Sequence, residues 1–304
     1  MGTPEFATAS LEALIKAGIQ IVAVVTAPDK PAGRGQKLNE SAVKKAACAH
    51  EIPVLQPEKL KHPDFINELT SYEADLFVIV AFRMLPERVW TIPRLGTINL
   101  HASLLPHYRG AAPINHVLIN GETVTGVSTF LLQHEIDTGA ILFQQEVPLP
   151  ENITAGELHD TLMDVGAGVL VETVKALQDG KIQPIPQEAL YNGMPLRDAP
   201  KLSKEDGRIE WENSVIRIHN RIRGLSPYPG AFTTFEGKTL KLYKTSKQLM
   251  SHGLTPGSLS TDGKTYLKIA GTDGWIDLLE IQLEGKKRLS IVEFLRGYKF
   301  STKL

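Results

Sequence analysis

INLHASLLPHYRGAAPI, residues 98–114, carries an apolar strand into an asparagine and a histidine one residue apart, then turns at once through proline, arginine and small residues. Side chains two positions apart on a strand point to the same face, so Asn99 and His101 project together. At the carboxyl end of a strand in an open parallel sheet, they face the crevice where such sheets bind ligands. A neutral imidazole takes a proton near pH 7, and an amide N–H stabilises an oxygen that is gaining negative charge. The pair suits acyl transfer, which then needs a carboxylate to orient the imidazole or balance its charge. Asp137, in the EIDTGA turn between two apolar runs, is the best-placed one. A lone histidine after a strand is more often a packed structural group, so the pair alone leaves that reading open.

Outward from this stretch the chain alternates strand and helix. IQIVAVVTA, residues 19–27, and DLFVIVAF, residues 75–82, are β-branched runs of the kind buried on both faces of a parallel sheet. Helical patterns occupy residues 42–51, 63–71 and 113–120, and a first helix has Phe6, Leu11, Leu14 and Ile15 on one face, Thr3 as its cap and Pro4 in its first turn. PDKPAGRGQKLNES, residues 28–41, reads as a polar loop. TGVSTFLLQ and AILFQQEVPL are the strands joined by the Asp137 turn, and Thr154 with Glu157 forms a capping box for a long helix through Gln178. The whole is an α/β domain with a doubly wound, mostly parallel sheet over residues 1–182. Residues 183–207, rich in proline and polar side chains, read as a linker. Residues 208–304 hold a helix near 214–224 and short strands parted by FEGK, TDGKT, GTDGW and LEGKK, which suggest a small OB-like β-barrel. A doubly wound domain ordinarily opens with a strand, and GTPEF reads as the bend that follows one. The sheet is expected to lack that strand or to fill its place by other means, unless the true start lies upstream.

Composition narrows the function classes. The single cysteine, Cys48, excludes an internal disulfide framework and a multi-cysteine metal site, and points to a reducing compartment, the cytoplasm by default. No apolar run approaches the roughly 20 residues of a membrane span, so no membrane partner is expected. HExxH, CxxC and the serine nucleophile elbow are all missing, which leaves metal and covalent mechanisms unsupported. A nicotinamide-dependent dehydrogenase, suggested by topology alone, lacks its G-x-G-x-x-G run. The net charge of -1 is unevenly spread, with 16 Lys+Arg against 11 Asp+Glu from residue 205 onward and 17 against 23 before it. A basic rear third allows a polyanion to be gripped there while chemistry happens elsewhere, and equally describes a solvated lysine-rich surface.

The residues now become specific. INLHASLLPHYRGAAPI resembles the N-H-x-SLLP-x-x-RG signature of the folate-dependent formyltransferases, and IDTG resembles the loop that carries that family's aspartate. TAPDKPAGRGQKL is similar to the long loop of the branch that formylates methionyl-tRNA, and GTPEF, LSKEDGRIEW and the rear domain are similar to the same branch. The resemblance implies a Rossmann-like catalytic domain followed by a tRNA-binding one. It implies transfer of a formyl group from 10-formyltetrahydrofolate, without a metal, to the α-amino group of methionine on initiator tRNA. The trio carried over is Asn99, His101 and Asp137. The folate pocket is implied along Phe82, Arg83, Met84, Leu85 and Pro86, along Ser103, Leu104, Leu105 and Pro106, and along Gln133, His134, Glu135 and Ile136. Backbone groups of the first and last of these segments would hold the pterin, and Arg83 would face the glutamate tail. Where the family commonly has Ala-Tyr-Gly, this chain has Ala81, Phe82 and Arg83, and a usual glycine is Glu135.

For tRNA, Lys30, Arg34 and Lys37 lie in a glycine-containing loop whose backbone can approach a phosphate or base closely, with Arg34 the foremost. In the rear domain Arg217, Arg221, Arg223, Lys286, Lys287 and Arg288 are the phosphate-contact candidates. A monomer is expected. Two rival readings stay open: a formyltransferase or hydrolase of the same superfamily acting on another amine or on formyl-folate, and a noncatalytic tRNA-binding protein.

Overall fold

The computed structural model describes residues 1–32, 37–191 and 193–298, with the side chains of residues 30–32 and 37–39 left out of the description. These residues group into two compact units, one of Met1–Arg109, Gly126–Val147 and Asp160–Asp198, the other of Gly110–Thr125, Pro148–His159 and Ala199–Leu304.

The first unit starts with α1 (Glu5–Lys16), which buries Phe6, Leu11 and Leu14 as its periodicity predicts. Pro4 rather than Thr3 is its N-cap, and no side chain caps it, because proline sets the extended entry itself. The run 19–27 is a strand only at β1 (Val24–Val25), which pairs in parallel with β4 (Val54–Leu55). The stretch expected to be a plain loop contains a short antiparallel ribbon, β2 (Lys30–Ala32) with β3 (Lys37–Asn39), on either side of residues 33–36. Its polar composition hid it, since residues 28–41 carry no apolar alternation to mark a strand. Helix α2 (Ala42–Ala49) is capped by Ser41, whose Oγ accepts from Lys44 N, and α3 (Pro63–Ser71) matches its expected bounds.

The main sheet runs β5 (Phe77–Val80), β6 (Thr97–His101), β8 (Val124–Leu131), β9 (Ile141–Pro148). Strand β6 is parallel to β5, with Ile79 opposite Asn99, and antiparallel to β8, with Ser128 opposite His101. The short helix α4 (Glu87–Trp90) links β5 to β6. Helix α6 (Ala155–Gln178) begins at the predicted capping box, where the Glu157 carboxylate accepts from Thr154 N at 2.9 Å and Thr154 Oγ1 accepts from Glu157 N at 3.3 Å. Farther along, α6 lies on β6 and β8 because Gly166 lets Leu100 approach and Thr173 bonds Thr129 at 2.8 Å. The strands β7 (Arg109–Gly110) and β10 (Asp198–Ala199) pair with each other.

In the second unit, α5 (Pro113–Ile119) packs on α7 (Val215–Leu225), where Asn115 Nδ2 donates to Gly224 O at 2.7 Å. Helix α7 presents Val215, Ile218, Ile222 and Leu225, all at most 2% exposed, to an antiparallel sheet. Its described strands are β11 (Ala231–Phe235), β12 (Lys238–Leu249), β13 (Leu259–Thr261), β14 (Leu267–Ala270), β15 (Gly274–Leu283) and β16 (Leu289–Ser290), in the order β11, β12, β15, β14, β13, with β16 on β15. Helix α8 (Ile291–Gly297) follows, started by a Ser290–Glu293 capping box.

His219 on α7 is 1% exposed, with Nδ1 against Thr245 Oγ1 at 3.0 Å, and burial holds it down to about 4, helped by the charges of Lys247 and Arg223 and opposed by Glu151. The unfolded chain binds a proton there that the folded chain refuses. Its neutral form is therefore fully tolerated above pH 6.5, and stability is lost as pH falls from about 6.5 toward about 4. The expected loss is about 3 kcal/mol by pH 4, and His219→Leu should remove it, as read from denaturant unfolding at pH 7 and pH 4.

Candidate active site

Strand β6 ends at His101, with Asn99 two residues earlier on the same face. The Asn99 side chain makes no hydrogen bond among the described residues and is half-buried, so its amide N–H groups are available. His101 is 6% exposed. Its Nε2 lies 2.8 Å from the carbonyl oxygen of Tyr108, an acceptor only, so Nε2 carries a proton and donates it. Its Nδ1 faces Asp137 Oδ2 at 3.8 Å, just beyond hydrogen-bond reach. Both ring nitrogens thus look at acceptors.

The backbone around these groups is held by Ser103, already named for the folate pocket, and by Ser128, Gln144 and Gln187, which the sequence did not single out. After β6 the chain doubles back through residues 102–108, and Ser103 Oγ donates to His107 O at 2.8 Å. Ser128 Oγ donates to Ser103 O at 2.6 Å and accepts from Leu105 N, while Gln144 Nε2 donates to Leu105 O at 2.8 Å. The Asp137 turn is strained, with Asp137 itself at φ 55°. Gln187 clamps it, donating to Asp137 O at 2.8 Å and Gly139 O at 2.9 Å, and its Oε1 accepts from Arg109 Nε and a terminal guanidinium nitrogen. A Cβ at Gly139 would fall 1.6 Å from Leu131 O, so only glycine closes this turn. Gln187 sits 78 residues from Arg109, in the stretch read as a linker, and no local pattern marks it.

The implied folate-pocket residues divide by burial. Leu85, Ser103, Leu105 and Pro106 are buried, and Leu105 packs on Phe130 and Ile141. Phe82, Pro86 and Leu104 are half-buried, while Arg83, Met84, Gln133, His134, Glu135 and Ile136 are exposed. The loop at 133–136 reaches the start of α4 through His134 Nε2 and Glu87 Oε2, 3.3 Å apart, which brings it beside the 82–86 loop. Met84 and Ile136, 74% and 60% exposed, are large apolar side chains left to solvent there. Arg83 folds over the Phe82 ring and donates to the carbonyls of Pro57 and Glu58.

Of the cations named for tRNA, Arg34 lies outside the described residues, as do the side chains of Lys30 and Lys37. Arg217, Lys286 and Lys287 are exposed. The other three make hydrogen bonds within the chain, with Arg223 buried, Arg221 half-buried and Arg288 exposed. Arg223 is 6% exposed and bonded to Asn220 Oδ1, Arg221 donates to Asp206 O, and Arg288 grips both oxygens of Glu280 beneath the Tyr243 ring. Their alternation along α7 and the final hairpin is visible in the sequence, but which side faces a core is not. Among the described residues no helix is long and apolar enough to cross a membrane, and no group of three His, Cys, Asp or Glu side chains is placed to hold a metal ion.

Comparison with known proteins supplies the family. Residues 1–174 match the formyl transferase family and residues 201–299 its C-terminal domain. The methionyl-tRNA formyltransferase of Bacteroides fragilis is 50% identical over 303 residues, 98% of this chain and 94% of the relative. That of Parabacteroides distasonis is 51% identical over 306 residues, 98% and 94% of the two chains. Among solved structures, the N-formyltransferase from Helicobacter canadensis in complex with folinic acid and dTDP-3-aminofucose has the same fold, with a TM-score of 0.66 at 19% identity over 95% of this chain and 97% of that one. HypX from Aquifex aeolicus in complex with tetrahydrofolic acid gives 0.58 at 21% identity over 82% and 44%. Full-length identity at this level places the chain in the methionyl-tRNA formyltransferase family.

Proposed function

We propose that the chain transfers the formyl group of 10-formyltetrahydrofolate to the α-amino group of methionyl initiator tRNA, with Asn99, His101 and Asp137 as the reacting trio. The observation that carries this reading is the approach of His101 Nδ1 to Asp137 at 3.8 Å beside an asparagine amide with no partner among the described residues. The uncharged amine attacks the formyl carbon. As the carbonyl oxygen gains charge, the Asn99 amide and the proton on His101 Nδ1 donate to it. Asp137 balances the imidazolium and takes the proton that the attacking nitrogen sheds. The same proton is returned to the folate nitrogen as its bond to the formyl carbon breaks, so no proton is gained or lost overall. Tyr108 O holds the ring so that Nδ1 is the working nitrogen. The adjoining loops at 82–86 and 133–136 offer Met84 and Ile136 to the flat pterin, the usual mixture of apolar wall and backbone polar groups. Arg34, with Lys30, Lys37, Arg217, Lys286 and Lys287, would meet the tRNA.

The deciding assay supplies 10-formyltetrahydrofolate with methionyl initiator tRNA in one tube and an amino-sugar nucleotide in another. Formylated methionyl-tRNA with no turnover of the sugar amine is the expected result. Efficient sugar formylation with an inert tRNA would overturn the substrate, and no transfer to either would overturn the reaction.

A further inference from the structure

We infer that Arg197 is a positioning residue for the transfer: it holds Tyr108, whose carbonyl sets the His101 ring, and together with Gln187 it braces the partners on both sides of that ring. The inference rests on the reading of His101 and Asp137 as reacting groups given above.

The carbonyl that accepts from His101 Nε2 at 2.8 Å belongs to a residue in an unfavourable backbone conformation. Tyr108 has φ 62°, in the left-handed region that a bulky side chain seldom adopts, and it is only 5% exposed. Such a conformation persists where neighbouring groups over-determine it. Ser103 and Arg197 both contribute here. Ser103 Oγ donates to His107 O at 2.8 Å and reaches Tyr108 O at 3.5 Å. The Tyr108 N–H donates to Arg197 O at 2.5 Å, and Arg197 Nη1 donates to Tyr108 Oη at 3.2 Å. Arg197 thus grips the main chain and the side chain of Tyr108 at once, from 89 residues away along the chain.

A second hold acts on the other side of the ring. Ile185 pairs with Ile141 of β9 through two backbone bonds of 2.8 Å, which sets Gln187, two residues on, against Asp137 O and Gly139 O. Gln187 Oε1 also accepts from Arg109, the neighbour of Tyr108. Gln187 and Arg197 both come from the stretch whose composition reads as a linker, and between them they fix the acceptor at each ring nitrogen, Tyr108 O for Nε2 and the Asp137 turn for Nδ1. A stretch whose only task is to span leaves its polar groups to water. These polar groups are directed instead at the two loops that flank one imidazole.

The test uses the full chain with nitrogen-labelled histidine and reads the His101 ring by NMR beside kcat and KM. Arg197→Gly removes the guanidinium and loosens the backbone whose carbonyl accepts from Tyr108 N. It is expected to make the His101 Nε2 proton exchange about 10-fold faster, the effect of about one net hydrogen bond. It should also lower kcat about 10-fold, with KM for both substrates nearly unchanged. Tyr108→Phe, which removes Oη alone, should show a smaller effect of the same kind, and Arg197→Lys, which keeps a donor and a stiffer backbone, should restore most of both readouts. An unaltered His101 ring signal in folded Arg197→Gly and Tyr108→Phe proteins would overturn the inference, whatever happens to kcat. An altered ring signal with wild-type kcat would show that Arg197 sets a ring that the reaction does not use, which is the failure of the trio and not of the brace. Amide exchange on the unaltered chain gives a reading that depends on no variant. The Tyr108 amide should be protected at least about 100-fold, and exchange there at the rate of an open loop would refute the hold by Arg197.

Discussion

His101→Ala is expected to lower kcat by about 10³-fold or more, the upper range for a positioned proton carrier that also stabilises the oxyanion. In the proposed mechanism the imidazole, set between the Tyr108 carbonyl and Asp137, supplies both the donated proton and the charge that Asp137 balances, and its removal abolishes both. Asn99→Ala should cost about 10² to 10³-fold, the usual effect of deleting one oxyanion donor. Because the buried imidazole also donates to a backbone carbonyl, His101→Ala removes the shorter of two donors to Tyr108 O, the other being Ser103 Oγ at 3.5 Å, and should lower stability by about 1–3 kcal/mol. Steady-state kinetics below the melting range separate the two effects. Wild-type kcat in a folded His101→Ala protein would remove His101 from the chemistry and return it to the role of a packed structural residue.

Gln187→Leu is the second change with a large expected effect. The side chains are similar in size, but leucine takes away the two donors to Asp137 O and Gly139 O and the acceptor of the Arg109 guanidinium. A buried carbonyl, a part-buried one and an arginine lose the Gln187 contact at once, for an expected loss of about 2–4 kcal/mol. The Asp137 turn, held at positive φ, then has less to keep it in place. A displacement of even 1 Å at the carboxylate should lower kcat by about 10²-fold with little change in KM. Gln187→Glu keeps the acceptor and removes the donors, so it should share the kinetic defect. A stability loss with unchanged kcat would show that the turn keeps Asp137 in place without the clamp.

Legibility followed the range of the interactions. Helices α3 and α6 were readable because their caps and apolar periods lie within a few residues of one another. The ribbon β2–β3 and the helix α4 were not, since neither shows the apolar period that marks a buried element. The run at 19–27 has the composition of one long strand, but its described strand is Val24–Val25 alone, with Thr26 N also donating to Leu55 O at 3.0 Å, because a strand is made by its neighbours and not by its own composition. At the site, Asn99 and His101 were legible from a two-residue spacing, and Asp137 from a turn motif.

By itself, then, the sequence determined the α/β alternation and the strand-rich rear unit, and it marked Asn99, His101 and Asp137 as candidates, all from short-range spacing and residue type. Tertiary structure alone decided which acceptors face the two ring nitrogens of His101, the Gln187 clamp, and the bonds that Arg221, Arg223 and Arg288 make within the chain. Each of these depends on which distant backbone or side-chain group lies within about 4 Å, and contacts of that kind are set by packing between segments far apart in the chain.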